Sequence, residues 1–384
     1  MNRNLALVAA SLFIWGAGEG LFVYFQTIYL QQWGADPLLI GSILGGMGVA
    51  MAVVQIPAGY LADKMGSRPI MWASWLLGTA AAWVMALANT LPLFIAGMLA
   101  YGLTSFVLAP MNSYITAVRG RWSAGRALTL VSAAYNLGAV IGPTIGGIFA
   151  KQFGLKTVYT IAAGVLVFST AVILFAKKPP VEIHAEKTTS EPVFRNSRFM
   201  VLAGLTFITM FALYLPQPLT PNFLQNERQL NLQQIGLVGT FGSLGTVFTM
   251  FLLGHLNAPL AFLIGQPLVA LFALLIWRGT GLPFYAIGYF FVSGYRLCRS
   301  MVLALARPFI HPSETGLAFG TLETANAVAV ILAPILAGIL YQRWPVLVYI
   351  VSLGLIGLTM VANIGFLPVL SRTPKYMPHE EKII

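Results

Sequence analysis

The chain has 384 residues, of which 58% are apolar and 9% charged, and it carries a formal net charge of +11. Soluble domains hold about a quarter charged residues, so a water-soluble globular fold is excluded. A single cysteine, Cys298, excludes a disulfide framework or a cysteine-rich metal site.

Twelve apolar runs follow one another, at 5–30, 38–61, 69–88, 92–118, 127–150, 157–176, 199–224, 235–256, 259–277, 283–306, 316–341 and 345–367. Each is long enough to cross a hydrocarbon core about 30 Å thick. They read as helices, because period-two alternation is absent and lipid offers backbone groups no water partner. With the N-terminus inside, fifteen Lys and Arg fall on inner segments and five on outer loops. That bias predicts a multi-pass protein of the cell membrane with both termini in the cytoplasm. The basic excess is then topology facing anionic lipid, and no nucleic-acid partner is expected.

The first run is too long for a signal peptide, lacks a small-residue cleavage pattern and holds Glu19 at its middle, so a retained helix is expected. Glu19 falls about 21 Å along it. Trp15, Glu19, Phe22 and Gln26 form one stripe at helical spacing. A carboxyl in an apolar cavity suits a group that binds and releases a proton during a cycle. The bland alternative is a permanently protonated acid hydrogen-bonded to a neighbouring helix. Gly16, Gly18 and Gly20 mimic a dinucleotide loop, but no strand precedes them.

After the second run comes a charged island, Gly59-Tyr-Leu-Ala-Asp63-Lys64-Met-Gly66-Ser67-Arg68-Pro69. The fourth run offers Tyr101, Ser105 and Asn112 on one face, and the fifth offers Thr129, Ser132 and Asn136. The fifth also carries Gly138-Ala-Val-Ile-Gly142-Pro143-Thr-Ile-Gly146-Gly147. Pro143 removes a backbone donor, and the glycines are expected to permit tight contact with the opposite half.

Residues 177–198, with Pro179, Pro180 and three glutamates, read as a flexible inner linker. They separate an N-terminal bundle (1–176) from a C-terminal bundle (199–370), followed by a tail (371–384). The halves echo one another at a shift of 191 residues, with Gly125/Gly316, Ala127/Ala318, Ala134/Ala325, Pro143/Pro334, Gly147/Gly338 and Ile148/Ile339 identical. Gly138, Gly142 and Gly146 meet Ala329, Ala333 and Ala337, so small residues replace small ones. Parallel repeats in a transporter place the substrate between the halves.

Pro216, Pro218 and Pro221 around Gln217 predict a kink in the seventh run. In the tenth, Arg296 falls near mid-membrane, as anchor for an anionic group or as counter-ion to Glu19; its planar fork suits carboxylate or phosphate. Arg299 and Glu323 lie at equal depth on the tenth and eleventh runs, so an ion pair is expected, serving as a gate or simply neutralising charge. Each intramembrane charge costs roughly 2.5–3.5 kcal/mol, which makes function the default hypothesis. Asn326 completes the polar candidates. His184, His255, His311 and His379 are scattered without metal-ligand spacing, and no ATPase phosphate loop exists. No enzyme activity, metal or cofactor is expected.

The island Gly59, Leu61, Ala62, Asp63, Lys64, Gly66, Arg68 resembles the loop motif between helices 2 and 3 of the major facilitator superfamily, departing from it at Ser67. The resemblance covers essentially the whole chain. It implies an all-α membrane fold of twelve transmembrane helices in two pseudo-symmetric six-helix bundles, with helices 1, 4, 7 and 10 lining a central cavity. It also implies that Asp63 faces the N-terminal end of helix 11 as an inner gate, with Lys64 and Arg68 in support. The segment Gly138–Gly147 resembles a helix 5 motif of proton-linked exporters. Two departures stand against that subgroup: Met98 occupies the place of an expected basic residue, and the second-half island near Gly254-His255-Leu256-Asn257 has lost its charges.

The expectation is a monomeric secondary active transporter that exports a small organic or amphipathic compound in exchange for protons. Glu19 would couple protons. Arg296, Trp15, Gln26, Tyr101, Ser105, Asn112, Asn136, Gln217 and Asn326 would meet substrate. Asp63, Lys64, Arg68, Arg299, Glu323, Gly138, Gly142 and Pro143 would gate. Uptake of an anionic solute is the alternative within transport, and a non-transporting sensor or scaffold the alternative outside it.

Overall fold

The computed structural model describes residues 2–178, 196–306 and 315–371. Most of the expected linker and tail lies outside them.

The chain runs through α1 (Arg3–Phe22), α2 (Gln26–Gln32), α3 (Pro37–Met65), α4 (Ser67–Leu87), α5 (Leu91–Leu103), α6 (Leu108–Ala117), α7 (Ala124–Phe153) and α8 (Leu155–Leu174). The second half repeats this plan with α9 (Ser197–Tyr214), α10 (Thr220–Asn226), α11 (Leu232–Leu253), α12 (Ala258–Arg278), α13 (Leu282–Phe291), α14 (Gly294–Ala306), α15 (Thr315–Arg343) and α16 (Leu347–Ser371). Among the described residues eleven segments are long and apolar enough to cross a membrane. The remaining crossing, the tenth, expected at 283–306, is α13 followed by α14, with the interruption at Val292-Ser293. The protein is therefore a multi-pass, all-helical membrane protein with two bundles of six crossings.

Local chemistry sets the helix ends. Asp36 caps α3 by accepting from the Leu39 amide at 2.7 Å, with Pro37 at the first helical position. Asn231 and Gln234 form a reciprocal capping box at the start of α11. Gly66, at φ +84°, lets the chain turn from α3 into α4 in one residue.

The interruptions fall in the first, fourth, seventh and tenth crossings; each other crossing is one continuous helix. The seventh breaks where Pro216, Pro218 and Pro221 cluster, as the sequence predicts. The first and fourth break without a proline at the tightened turn itself, at Val23–Phe25 and Thr104–Val107. In the fourth, the Thr104 hydroxyl donates to the Tyr101 carbonyl at 2.6 Å, competing with the helical ladder.

Each bundle is tied internally by a buried polar knot. In the first, Ser11 on α1 and Ser169 on α8 bond at 2.9 Å, and the Trp75 indole N–H on α4 donates to both, at 2.9 and 3.1 Å. In the second, Asn363 on α16 donates to Thr209 on α9 at 3.0 Å and to Gln266 on α12 at 3.2 Å. The knots join the first, third and sixth crossings of each half, and Trp75 and Gln266 are 191 positions apart, the repeat shift itself.

Contact between the halves is concentrated away from the terminal side. There Gln31 accepts from Asn222 at 2.6 Å and from Asn226 at 3.1 Å, Asn222 also donates to the Thr27 carbonyl, and Lys151 donates to Gln233 at 3.2 Å. Thr144 and Thr240 bond at 2.8 Å between α7 and α11. Among the described residues the hydrogen bonds that join the halves lie at mid-molecule and at the far face, so the molecule is closed at the far face.

The glycine motif of α7 corrects one expectation. A Cβ on Gly142 would sit 2.6 Å from the backbone of Gly20, and Gly138 and Gly146 likewise abut α1 at Phe13 and Leu21. Gly138 and Gly142 therefore pack within their own half. Pro143 and Gly147 reach the opposite one, against Gly236 and Leu232 of α11, and Thr144 and the Val140 carbonyl meet Thr240 there. Small residues announce a close approach without naming the partner.

Candidate functional site

The broken crossings position the site. Relaxing the helix at Val23–Phe25, Thr104–Val107 and Val292-Ser293 opens the centre of the molecule, and two connected cavities occupy it. One, of about 330 Å³, lies between the halves, lined by Glu19, Tyr24, Gln26, Tyr135 and Asn136 on one side and by Tyr214, Gln217, Tyr289, Tyr295 and Arg296 on the other. The second, of about 590 Å³, runs along the N-terminal half, where Trp15, Trp75, Met47, Met51, Tyr101, Ser105, Met111 and Asn112 line it. Glu19, Val23, Gln26 and Tyr135 belong to both.

Glu19 sits half-buried at the junction. Its Oε2 accepts from the Tyr135 hydroxyl at 3.2 Å. The Trp15 indole and the Tyr101 hydroxyl face the same carboxyl. The Tyr101 hydroxyl is buried without a hydrogen-bond partner, and its ring stacks on Trp15 at 6.1 Å and 16°. Across the cavity, the exposed Arg296 acts on Glu19 electrostatically but beyond ion-pair distance.

Arg299 and Glu323 do pair, Nη2 to Oε2 at 3.0 Å, with side chains 44% and 49% exposed. Both belong to the C-terminal half, so the pair does not bridge the halves in this conformation. Asn326 stands behind the lining, accepting from Tyr295 at 3.1 Å. Gln217 lines the cavity while donating to the Leu213 carbonyl at 2.7 Å. Asn136 donates to the Ser132 carbonyl at 2.8 Å.

The island residues lie apart from the cavity. Lys64 stands 4.5 Å over the Tyr60 ring of its own helix. Arg68 stacks over Trp72 at 3.9 Å and donates to the Ala176 carbonyl at 2.8 Å. Among the described residues both engage the N-terminal half. The side chain of Asp63 lies outside the described residues.

Tyr135, Tyr24, Tyr214 and Tyr295 line the site without having been singled out by their sequence positions. Tyr135 follows Ser132 by three residues on the same turn, so the polar face of the fifth crossing could have revealed it. The others carry no signal beyond being tyrosines in apolar runs.

The model of the Major Facilitator Superfamily matches residues 7–207 and again 202–382, once per half. Among curated proteins, the multi-drug resistance efflux pump PmrA of Streptococcus pneumoniae is 24% identical over 217 residues, covering 55% of this chain and 54% of that one. The quinolone resistance protein NorA of Staphylococcus aureus is 20% identical over 363 residues, covering 89% and 91%. The chain spans about half the length of the first curated relatives it matches. Among solved structures, the nucleoside transporter NupG superposes with a TM-score of 0.80 at 13% identity, covering 95% of this chain and all of that one (100%).

Proposed function

The chain belongs to the Major Facilitator Superfamily, and on that premise we propose that it works by alternating access and exports a small organic or amphipathic compound in exchange for protons taken up by Glu19. The observation that carries this reading is the placement of Glu19 and Arg296 on opposite walls of one cavity between the halves. Intramembrane charges of opposite sign that are kept apart are costly to maintain, and a water-accessible transport path is the setting that sustains them. The name of the pneumococcal relative, an efflux pump, supports export.

In this reading the termini are cytoplasmic, as the distribution of Lys and Arg argues, and the cavity faces the cytoplasm of the cell membrane. Substrate enters against Trp15, Gln26, Tyr101, Ser105, Asn112, Asn136 and Gln217. The far face then opens by parting Gln31 from Asn222 and Thr144 from Thr240. On the cytoplasmic side Asp63, Lys64 and Arg68 close, while Arg299 and Glu323 exchange partners. Arg296 balances Glu19 when its carboxyl is ionised.

The test is flux in liposomes under an imposed proton gradient, comparing the wild type with Glu19→Gln on a panel of organic cations, zwitterions and anions. Gradient-driven flux that falls at least tenfold in the variant is expected. Flux that ignores both the gradient and the substitution would establish a facilitator instead, and no flux for any compound would favour a sensor. Uptake of an anion is the second reading, favoured by Arg296 having no ion-pair partner among the described residues; it predicts that Arg296→Lys impairs anions and spares neutral compounds.

A further inference from the structure

Of the four charged side chains that the sequence places inside the crossings, Glu19 and Arg296 line the central cavity, whereas Arg299 and Glu323 do not. Arg299 and Glu323 cancel one another at 3.0 Å. The remaining two share a cavity and sense each other, yet are not paired. Arg296 cannot shed its proton, so its charge is permanent. A ligand with one charge would satisfy one wall and be repelled by the other. A ligand carrying both signs, with its ends reversed relative to the walls, satisfies both at once.

The larger cavity shows what else the ligand must bring. Among the described residues Glu19 is the one charged side chain lining it, and the rest of its surface is dominated by Trp15, Trp75, Tyr101, Met47, Met51 and Met111. Its size, about 590 Å³, suits a drug-sized apolar body. The unbranched methionines can repack around bodies of different shape. The buried Tyr101 hydroxyl, which lines this branch, faces the Glu19 carboxyl.

We infer that the site takes an amphipathic zwitterion, with its ammonium group on Glu19, its carboxylate on Arg296, and an aromatic or alkyl body along the N-terminal wall. The assignment rests on the carrier reading above and names the substrate class of that same site. It also supplies the exchange: a proton on Glu19 removes the partner of the ammonium group, so proton and ligand exclude one another.

The test is equilibrium binding to the full-length protein in detergent, followed by calorimetry or tryptophan fluorescence, since Trp15 and Trp75 line the branch. The probe is 4-amino-3-phenylbutanoate, compared with its N-acetyl derivative (anion only), its methyl ester (cation only) and 4-aminobutanoate (no body). The zwitterion is expected to bind at least tenfold more tightly than each of the three. Glu19→Gln should lower its affinity to that of the N-acetyl derivative, and Arg296→Gln to that of the ester. Any of the three derivatives binding within tenfold of the zwitterion, or no saturable binding of the zwitterion, would overturn the assignment on the wild-type protein alone, whatever the variants do. Binding with the expected preferences but no flux in liposomes would overturn the carrier reading and leave this assignment standing. Flux without charge preference would do the reverse.

Discussion

On the N-terminal wall of the cavity a single carboxyl, Glu19, stands among Trp15, Trp75, Met47 and Met51; on the facing wall Arg296 stands among Tyr214, Tyr289 and Tyr295. Behind these walls the two halves have the same six crossings, broken helices at the first and fourth places, and a buried polar knot at the same triangle. The frame is repeated and both walls carry tyrosines, whereas the charge is divided: an acid among tryptophan and methionine on one side, a base on the other. A duplicated scaffold can thus keep its packing while each copy specialises its cavity face.

The sharpest way to break the comparison is at the helix contacts, where the halves differ by one methyl group. Gly138, Gly142 and Gly146 correspond to Ala329, Ala333 and Ala337, which are fully buried. Gly142→Ala would press a Cβ to 2.6 Å from the Gly20 backbone, which has no flexible side chain to give way. It should cost about 1–3 kcal/mol, seen as a lowered thermal midpoint or loss of monodisperse protein. The reciprocal Ala333→Gly should cost less, about 1 kcal/mol. Equal effects in the two halves would refute this asymmetry.

The polar knots come next. Gln266→Ala strands the buried Asn363 amide, which retains only its bond to Thr209, and should cost about 2 kcal/mol. Trp75→Phe in the other half leaves the Ser11–Ser169 bond intact and should cost about 1 kcal/mol. Chemical unfolding of both variants in detergent measures the difference, and a larger loss for Trp75→Phe would reverse the ranking.

The fold was largely legible in the sequence because lipid permits few alternatives. Run length gave twelve crossings directly, and the repeat at 191 residues placed the halves in register. Glu19 and Arg296 stood out for the cost of charge in an apolar run. Other features depend on partners that a sequence does not name. The proline cluster marked the break in the seventh crossing, but Val23-Tyr24-Phe25 offers no comparable signal in the first. The α7 glycines announced close packing and proved to face α1. Tyr135 acquires meaning only once α7 brings it to Glu19.

The smallest expected effect concerns the far-face seal. Gln31→Ala removes the acceptor shared by Asn222 and Asn226, and should weaken closure by about 1 kcal/mol, or roughly fivefold in the balance of the two conformations. Distances between spin labels at the far ends of α2 and α10 would report it as a larger fraction of parted molecules. An unchanged distribution would show that the helix contacts alone hold this face.

The central claim is that one water-filled path, walled by both halves, opens to the terminal side. Ser132→Cys on the N-terminal wall and Ser243→Cys on the C-terminal wall test it in a Cys298→Ser background, Cys298 being buried. A membrane-impermeant thiol reagent applied to the terminal side should label both positions. Protection of both from that side, with labelling only by a lipid-soluble reagent, would contradict the account.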